Sequence, residues 1–182
     1  ILDEVQTGCG LTGSTWAYQQ LGLEPDLVAW GKKLHVCGVM AGGRLDDVEG
    51  HVWESASRIN STFGGNLVDM VRATEMLRII RDENLVDRAA ELGDKLLGRL
   101  TELQDRHPAL VTNARGRGLM CAIDLPDTET RNAVTHAMFT DEQVFLLGCG
   151  THSIRFRPSL TVTEDALDAA IAALDRVLAA TV

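Results

Sequence analysis

The stretch Pro25–Lys33, PDLVAWGKK, decides the fold. Asp26–Trp30 is a short apolar run of the kind that forms a parallel strand covered by its neighbours, and Gly31 with two lysines ends it. Upstream, Ile1–Val5 (ILDEV) has the same character. It is followed by a glycine-rich loop and a short helix expected around Trp16–Leu21, which Gly22 and Pro25 terminate. Strand, loop, helix and strand in that order are an α/β alternation. Val36–Gly43 reads as a third strand, and the fold class is α/β.

Working outward, Asn66 is a good helix N-cap, because its side chain can accept a bond from an orphan N–H of the first turn. From Leu67 to about Leu103 the pattern is helical with a break near Asp82–Asn84. Its second half places Leu85, Ala89, Leu92, Leu96, Leu100 and Leu103 on one stripe, the 3.6-residue period. Beyond Pro108 the character changes to short strands (ALVTNARGRG, LMCAIDL, VFLLG, SIRFRP) and a helix near Thr128–Phe139. A last amphipathic helix, with Thr163 as its N-cap, turns Leu167, Ala170, Ile171, Leu174 and Leu178 inward. A domain boundary is expected near residue 80, giving a first domain over 1–80 and a smaller α/β domain over 81–182.

The chain carries 17 basic and 26 acidic side chains, a formal charge of −9, and no basic run, so nucleic acid is not an expected partner. Its apolar stretches are short or interrupted by Asp168, Asp175 and Arg176, so no membrane span is expected. Nothing in the stretch reads as a secretory signal, and a cytoplasmic location is the default. The four cysteines, Cys9, Cys37, Cys121 and Cys149, are widely spaced and read as reduced thiols in or near the core. The opening residue is Ile1, inside a strand, as expected for a piece of a longer chain.

Two features could carry chemistry. Gly8, Gly10 and Gly13 match the GxGxxG dinucleotide fingerprint. The fingerprint wants an apolar strand before it and an acid about 20 residues on. Here the strand carries Asp3 and Glu4, and Lys33 stands in the acid's place, so a structural turn is the better reading. The second feature is Asp3 with Lys32, on successive strand ends facing the crevice where open α/β sheets bind ligands. A lysine there can form an imine with an aldehyde cofactor, and a buried carboxylate can keep a pyridine nitrogen protonated. A structural ion pair, or two solvated charges, would use the same spacing.

LDEVQTGCGLTG (2–13), PDLVAWGKK (25–33), NSTFGGN (60–66) and IRFRPSL (154–160), in this order and spacing, resemble successive landmarks of the class III pyridoxal-phosphate-dependent aminotransferases. The resemblance covers nearly the whole chain. It implies the aspartate-aminotransferase-like fold (fold type I), of which this chain would be the later part of the large domain plus the small C-terminal domain. It also implies a homodimer with shared active sites and pyridoxal 5'-phosphate as cofactor.

By the same resemblance Lys32 matches the Schiff-base lysine, which also moves a proton between substrate and cofactor carbons once its amine is free. Asp3 matches the partner of the pyridine nitrogen and Gln6 the polar residue near the phenolic oxygen; Lys33 is a non-catalytic neighbour. Thr62 matches the threonine given to the phosphate of the partner subunit's cofactor, with Ser61 assisting, in a loop that by itself reads as an ordinary capped helix start. Arg155 matches the arginine that grips the substrate carboxylate, with Arg157 as its competitor. The chain departs from many members in carrying Ile59 and Asn60 for His and Gly, and Leu67 for Pro. The GKK…VCGVMAGG (31–43) and RINSTFGGN (58–66) variants are similar to the lysine 6-aminotransferase branch, which implies an ε-amine donor, 2-oxoglutarate as acceptor, and Asn60 close to the cofactor or substrate. An ornithine- or 4-aminobutyrate-type enzyme is the runner-up. A nucleotide-binding module on the Gly8–Gly13 loop is the alternative from another class.

Overall fold

The computed structural model describes residues 1–181, and the chain divides into two compact units. The first holds Ile1–Gly10 and Ser14–Leu85; the second holds Leu11–Gly13 and the chain from Val86 onward.

In the first unit, β1 (Leu2–Asp3), β2 (Leu27–Trp30) and β3 (Gly38–Ala41) form a sheet in that order. β1 and β2 are parallel, with Leu2 opposite Val28 and Asp3 opposite Ala29. β3 runs antiparallel to β2, with Leu27 opposite Ala41 and Trp30 opposite Gly38. The reason is the connection: residues 31–37 are too few for the dozen or so that a parallel crossover requires. The helix expected around Trp16–Leu21 is a 3-10 turn, Ala17–Leu21, ended by Gly22 in the left-handed conformation. α1 (Leu67–Asp82) starts where Asn66 Oδ1 accepts the Val68 N–H at 3.0 Å. The break after it falls at Asn84, at φ 50°, a backbone region that Asn tolerates better than most residues.

The core of this unit is small. Its buried cluster is Cys9, Leu34 and Ala73, with Trp16, Trp30, Val36, Met76 and Ile80 packed against them. Much of α1 is open instead, since Leu67, Val68, Met70, Val71, Leu77 and Ile79 are exposed.

The second unit has the larger core. α2 (Leu85–Arg106) carries the leucine stripe as expected, and Ala89, Leu92, Leu96, Leu100 and Leu103 are all buried. Each such leucine contributes about 1.5–3 kcal/mol relative to an exposed one. β4 (Thr112–Arg117), β5 (Met120–Asp124), β6 (Leu147–Cys149) and β7 (Ser153–Phe156) form a wholly antiparallel sheet in the order β4-β5-β7-β6. α3 (Thr128–Thr140) and α4 (Glu164–Ala180) pack on each other. Cys121, Ile123, Ile154 and Phe156 point from one sheet face into the shared core. α4 is capped by Thr163, whose Oγ1 accepts the Ala166 N–H at 3.2 Å. Gly93 is required where α2 meets the β4–β5 turn, because a Cβ there would stand 2.1 Å from the Gly118 carbonyl carbon.

Candidate active site

The last rung between the parallel strands is the Glu4 N–H donating to the Ala29 carbonyl at 2.8 Å. Beyond it both strands leave the sheet at their carboxyl ends, so Asp3 and Lys32 emerge at one edge from neighbours about 4.8 Å apart. That edge is where ligands bind in open α/β sheets.

Of the two carboxylates at the end of β1, Asp3 is exposed and Glu4 is buried, at 3% exposure. The buried carboxylate expected at Asp3 is therefore its neighbour. Glu4 is consumed by structure: Oε1 accepts the Tyr18 N–H at 2.8 Å and Oε2 accepts the Thr7 hydroxyl. Asp3 uses only Oδ1 internally, accepting the Val5 N–H at 2.9 Å, so Asp3 is the one with capacity for a ligand. Strand alternation was the signal for this division, since adjacent side chains face opposite ways.

Lys32 opens the 3-10 turn Lys32–Leu34, which the His35 N–H closes on the Lys32 carbonyl at 3.0 Å. Lys32 sits at φ 53°, a left-handed conformation that costs a non-glycine residue roughly 1–3 kcal/mol and persists where the surroundings hold it. Its side chain is exposed, and among the described residues its ammonium makes no hydrogen bond or ion pair. Gln6 is half-buried, and its carbonyl accepts the Lys33 ammonium at 2.6 Å. Asp3, Gln6 and Lys32 thus all lie at or just beyond the carboxyl ends of the two parallel strands.

Asn60, Ser61 and Thr62 lie in an exposed loop of the same unit. Two successive turns, Gly64 N–H to Ser61 O at 3.0 Å and Asn66 N–H to Phe63 O at 3.2 Å, run this loop into the N-terminus of α1. The side chains of 60–62 make no hydrogen bond among the described residues, and none joins them to the strand ends that carry Asp3 and Lys32. Hydroxyls ahead of a helix start form an anion site without a basic residue. Phe63 in this loop is 78% exposed.

Arg155 belongs to the second unit. It lies on β7, opposite Ala122 of β5 and Leu147 of β6, on the face away from Ile154 and Phe156. It is half-buried, and its Nε is buried with no hydrogen-bond partner among the described residues. Arg157, its competitor, lies beyond the end of β7 and is exposed. On the same face, Asp124 accepts hydrogen bonds from Asn113 Nδ2 (2.7 Å), Arg115 Nη1 (2.9 Å) and the Ser153 hydroxyl. Sequence reading missed this cluster, whose members no motif connects.

The glycine loop is not built for a nucleotide. Gly8 donates its N–H to the Glu4 carbonyl at 2.9 Å and Gly10 to the Thr15 carbonyl at 3.3 Å, so neither is offered to a phosphate. The element that follows is a 3-10 turn rather than an α-helix, and so lacks the helix dipole that holds a pyrophosphate. Gly8 is needed for packing: a Cβ there would stand 2.5 Å from the Trp16 ring. Nor are the two buried thiols activated. Burial raises Cys9, against the pull of the Lys33 charge and with a push from Glu4. Burial, with Asp94, lifts Cys121 to about 12. Cys37, expected in or near the core, is exposed.

Comparison with known proteins shows the family. An L-lysine-epsilon aminotransferase of Amycolatopsis lactamdurans is 60% identical over 179 residues, 98% of this chain and 40% of the relative. A 4-aminobutyrate aminotransferase, mitochondrial, of Sus scrofa is 38% identical over 166 residues, 90% of this chain and 32% of the relative. A solved structure of lysine aminotransferase from M. tuberculosis in the internal aldimine form superposes with a TM-score of 0.95 at 51% identity, covering 100% of this chain and 42% of that one. The chain thus spans well under half of the proteins it matches. Residues 1–178 match the family profile described as Aminotransferase class-III, and the chain belongs to that family.

Proposed function

We propose that the protein containing this chain transfers the ε-amino group of L-lysine to 2-oxoglutarate, with pyridoxal 5'-phosphate held on Lys32. The observation that carries the reading is the pairing of an open lysine amine and an open aspartate oxygen at the ends of adjacent parallel strands. The identity of 60% to a lysine ε-aminotransferase, against 38% to a 4-aminobutyrate enzyme, favours lysine as donor. Bound there, the cofactor supplies an aldehyde to carry the amine and a pyridinium ring to take up an electron pair.

The donor set fits that group. Lys32 offers a nucleophilic amine on a backbone held in a strained conformation and, once released, an acceptor for the proton at the substrate carbon. Asp3 would hold the ring nitrogen protonated, and Gln6 would face the phenolic oxygen. Thr62 and Ser61, with the N-terminus of α1, would bind the phosphate held by a second copy, and Asn60 would lie at that boundary. The exposed Ile59, Phe63, Leu67, Val68 and Val71 around them support a homodimer, since such apolar surface is ordinarily covered. The orphaned Nε of Arg155 supports its assignment to the substrate carboxylate, which a guanidinium grips with two parallel bonds.

In domain terms, the first unit is the later part of the large domain and the second is the small domain. No helix among the described residues is long and apolar enough to cross a membrane, and the cytoplasm is the proposed location.

The test uses the full-length protein. Pyridoxal phosphate followed by borohydride is expected to leave the cofactor covalently fixed to Lys32. With 2-oxoglutarate as acceptor, lysine is expected to turn over faster than ornithine or 4-aminobutyrate. Labelling elsewhere, or preference for either competitor, would overturn the corresponding half of the proposal.

A further inference from the structure

The two lysines that open the turn after β2 have different fates. Lys32 is exposed with its ammonium unengaged, whereas Lys33 is half-buried with its ammonium on the Gln6 carbonyl at 2.6 Å. We propose that Lys33 is a positioning residue of the cofactor site, tying the strand end that carries Asp3 and Gln6 to the turn that carries Lys32. This inference rests on the function proposed above and assigns the geometry of that site to a residue outside it.

Backbone pairing between β1 and β2 stops at the bond from the Glu4 N–H to the Ala29 carbonyl. Past that point, among the described residues, no backbone bond joins segment 5–10 to segment 31–37. A site that grips one ring from both segments needs their separation held by something else. The Lys33 bond crosses between them one residue beyond Lys32, with a charged, half-buried donor, the stronger kind of hydrogen bond.

Two further observations support the role. The strained backbone of Lys32 turns successive side chains apart, and residues on its far side must hold it there. Leu34, 3% exposed, and the Lys33 bond are the anchors that follow it. The Lys33 charge also acts on the glycine loop, pulling the Cys9 thiol down against the larger effect of burial. Without this anchor, Lys32 and the Gln6 segment could drift independently, and a 1 Å misplacement costs on the order of 10²-fold in rate.

The test compares Lys33→Met and Lys33→Arg in the full-length protein. In the cofactor-free protein, Lys33→Met is expected to speed amide exchange over Val5–Gly10 by about tenfold or more while the second unit is unchanged. Its dissociation constant for pyridoxal phosphate, read by tryptophan fluorescence, is expected to rise about tenfold. Its kcat is expected to fall by roughly 10–100-fold with little change in KM for the amino donor. Lys33→Arg, which keeps a charged donor, is expected to restore all three to within about threefold of the parent. Parent-like exchange and cofactor affinity in Lys33→Met would overturn the proposal, as would equal impairment of both variants. If Lys33→Met does not fold, Lys33→Gln, whose shorter amide cannot span to the Gln6 carbonyl, is read by the same rule. A parent protein fixed by borohydride at Lys32 keeps the functional reading intact whatever these variants do; a parent that takes up no cofactor there overturns both.

Discussion

The Glu4 carboxylate and the Tyr18 backbone N–H meet at 2.8 Å, which folds the glycine loop back onto the end of β1. The same carboxylate accepts the Thr7 hydroxyl, so one buried side chain holds both limbs of the loop. Glu4→Ala leaves the Tyr18 N–H and the Thr7 hydroxyl without this acceptor, and each such loss costs about 1–3 kcal/mol. Urea unfolding of the full-length protein is expected to show a loss of about 2–6 kcal/mol for Glu4→Ala, the two losses together, and a smaller one for Glu4→Gln.

Gly8→Ala tests the structural reading of the glycine motif. The added methyl would meet the Trp16 ring at 2.5 Å and the Glu4 carbonyl at 2.8 Å, and overpacking of this kind costs about 1–3 kcal/mol. The expected result is a lower urea midpoint, with no affinity for NAD in either parent or variant. NAD binding by either protein, measured by calorimetry, would contradict it.

Asp124 should give the second unit an acid-sensitive component. Burial pushes its carboxyl up, but the hydrogen bonds from Ser153, Asn113 and Arg115 together outweigh burial and hold it below the usual carboxylate range. Because the folded value is the lower one, this stabilisation is complete above the unfolded value of about 3.9 and is lost as pH falls through the folded value. The stability gap between parent and Asp124→Asn is therefore expected to be widest near neutrality and to close as pH falls below the unfolded carboxylate value. Urea midpoints across that range measure it.

Arg155→Lys keeps the charge and loses the planar fork. If Arg155 grips the substrate carboxylate, kcat/KM of the full-length enzyme is expected to fall by about 10–100-fold, the equivalent of a charged hydrogen bond. Arg157→Lys is expected to change it by less than about threefold. The reverse ranking would transfer the role to Arg157.

The 182-residue chain by itself is expected to bind pyridoxal phosphate weakly and to turn over nothing, since it spans 40% of its relative. Absorbance titration with the cofactor and a coupled glutamate assay check this directly.

What the letters alone determined is local or repetitive. The leucine stripe of α2, the caps at Asn66 and Thr163, the break before Leu85 and the placement of Asp3 and Lys32 at strand ends each depend on residues within a turn or a strand of one another. Periodicity and capping chemistry express such neighbours in sequence. The tertiary structure decided the rest: which of Asp3 and Glu4 is buried, and that Lys33 reaches Gln6. It also decided that Asp124 gathers Asn113, Arg115 and Ser153. The physical reason is common to all of these: a charge's burial and its partner are set by segments distant along the chain, and no local pattern encodes which segment arrives.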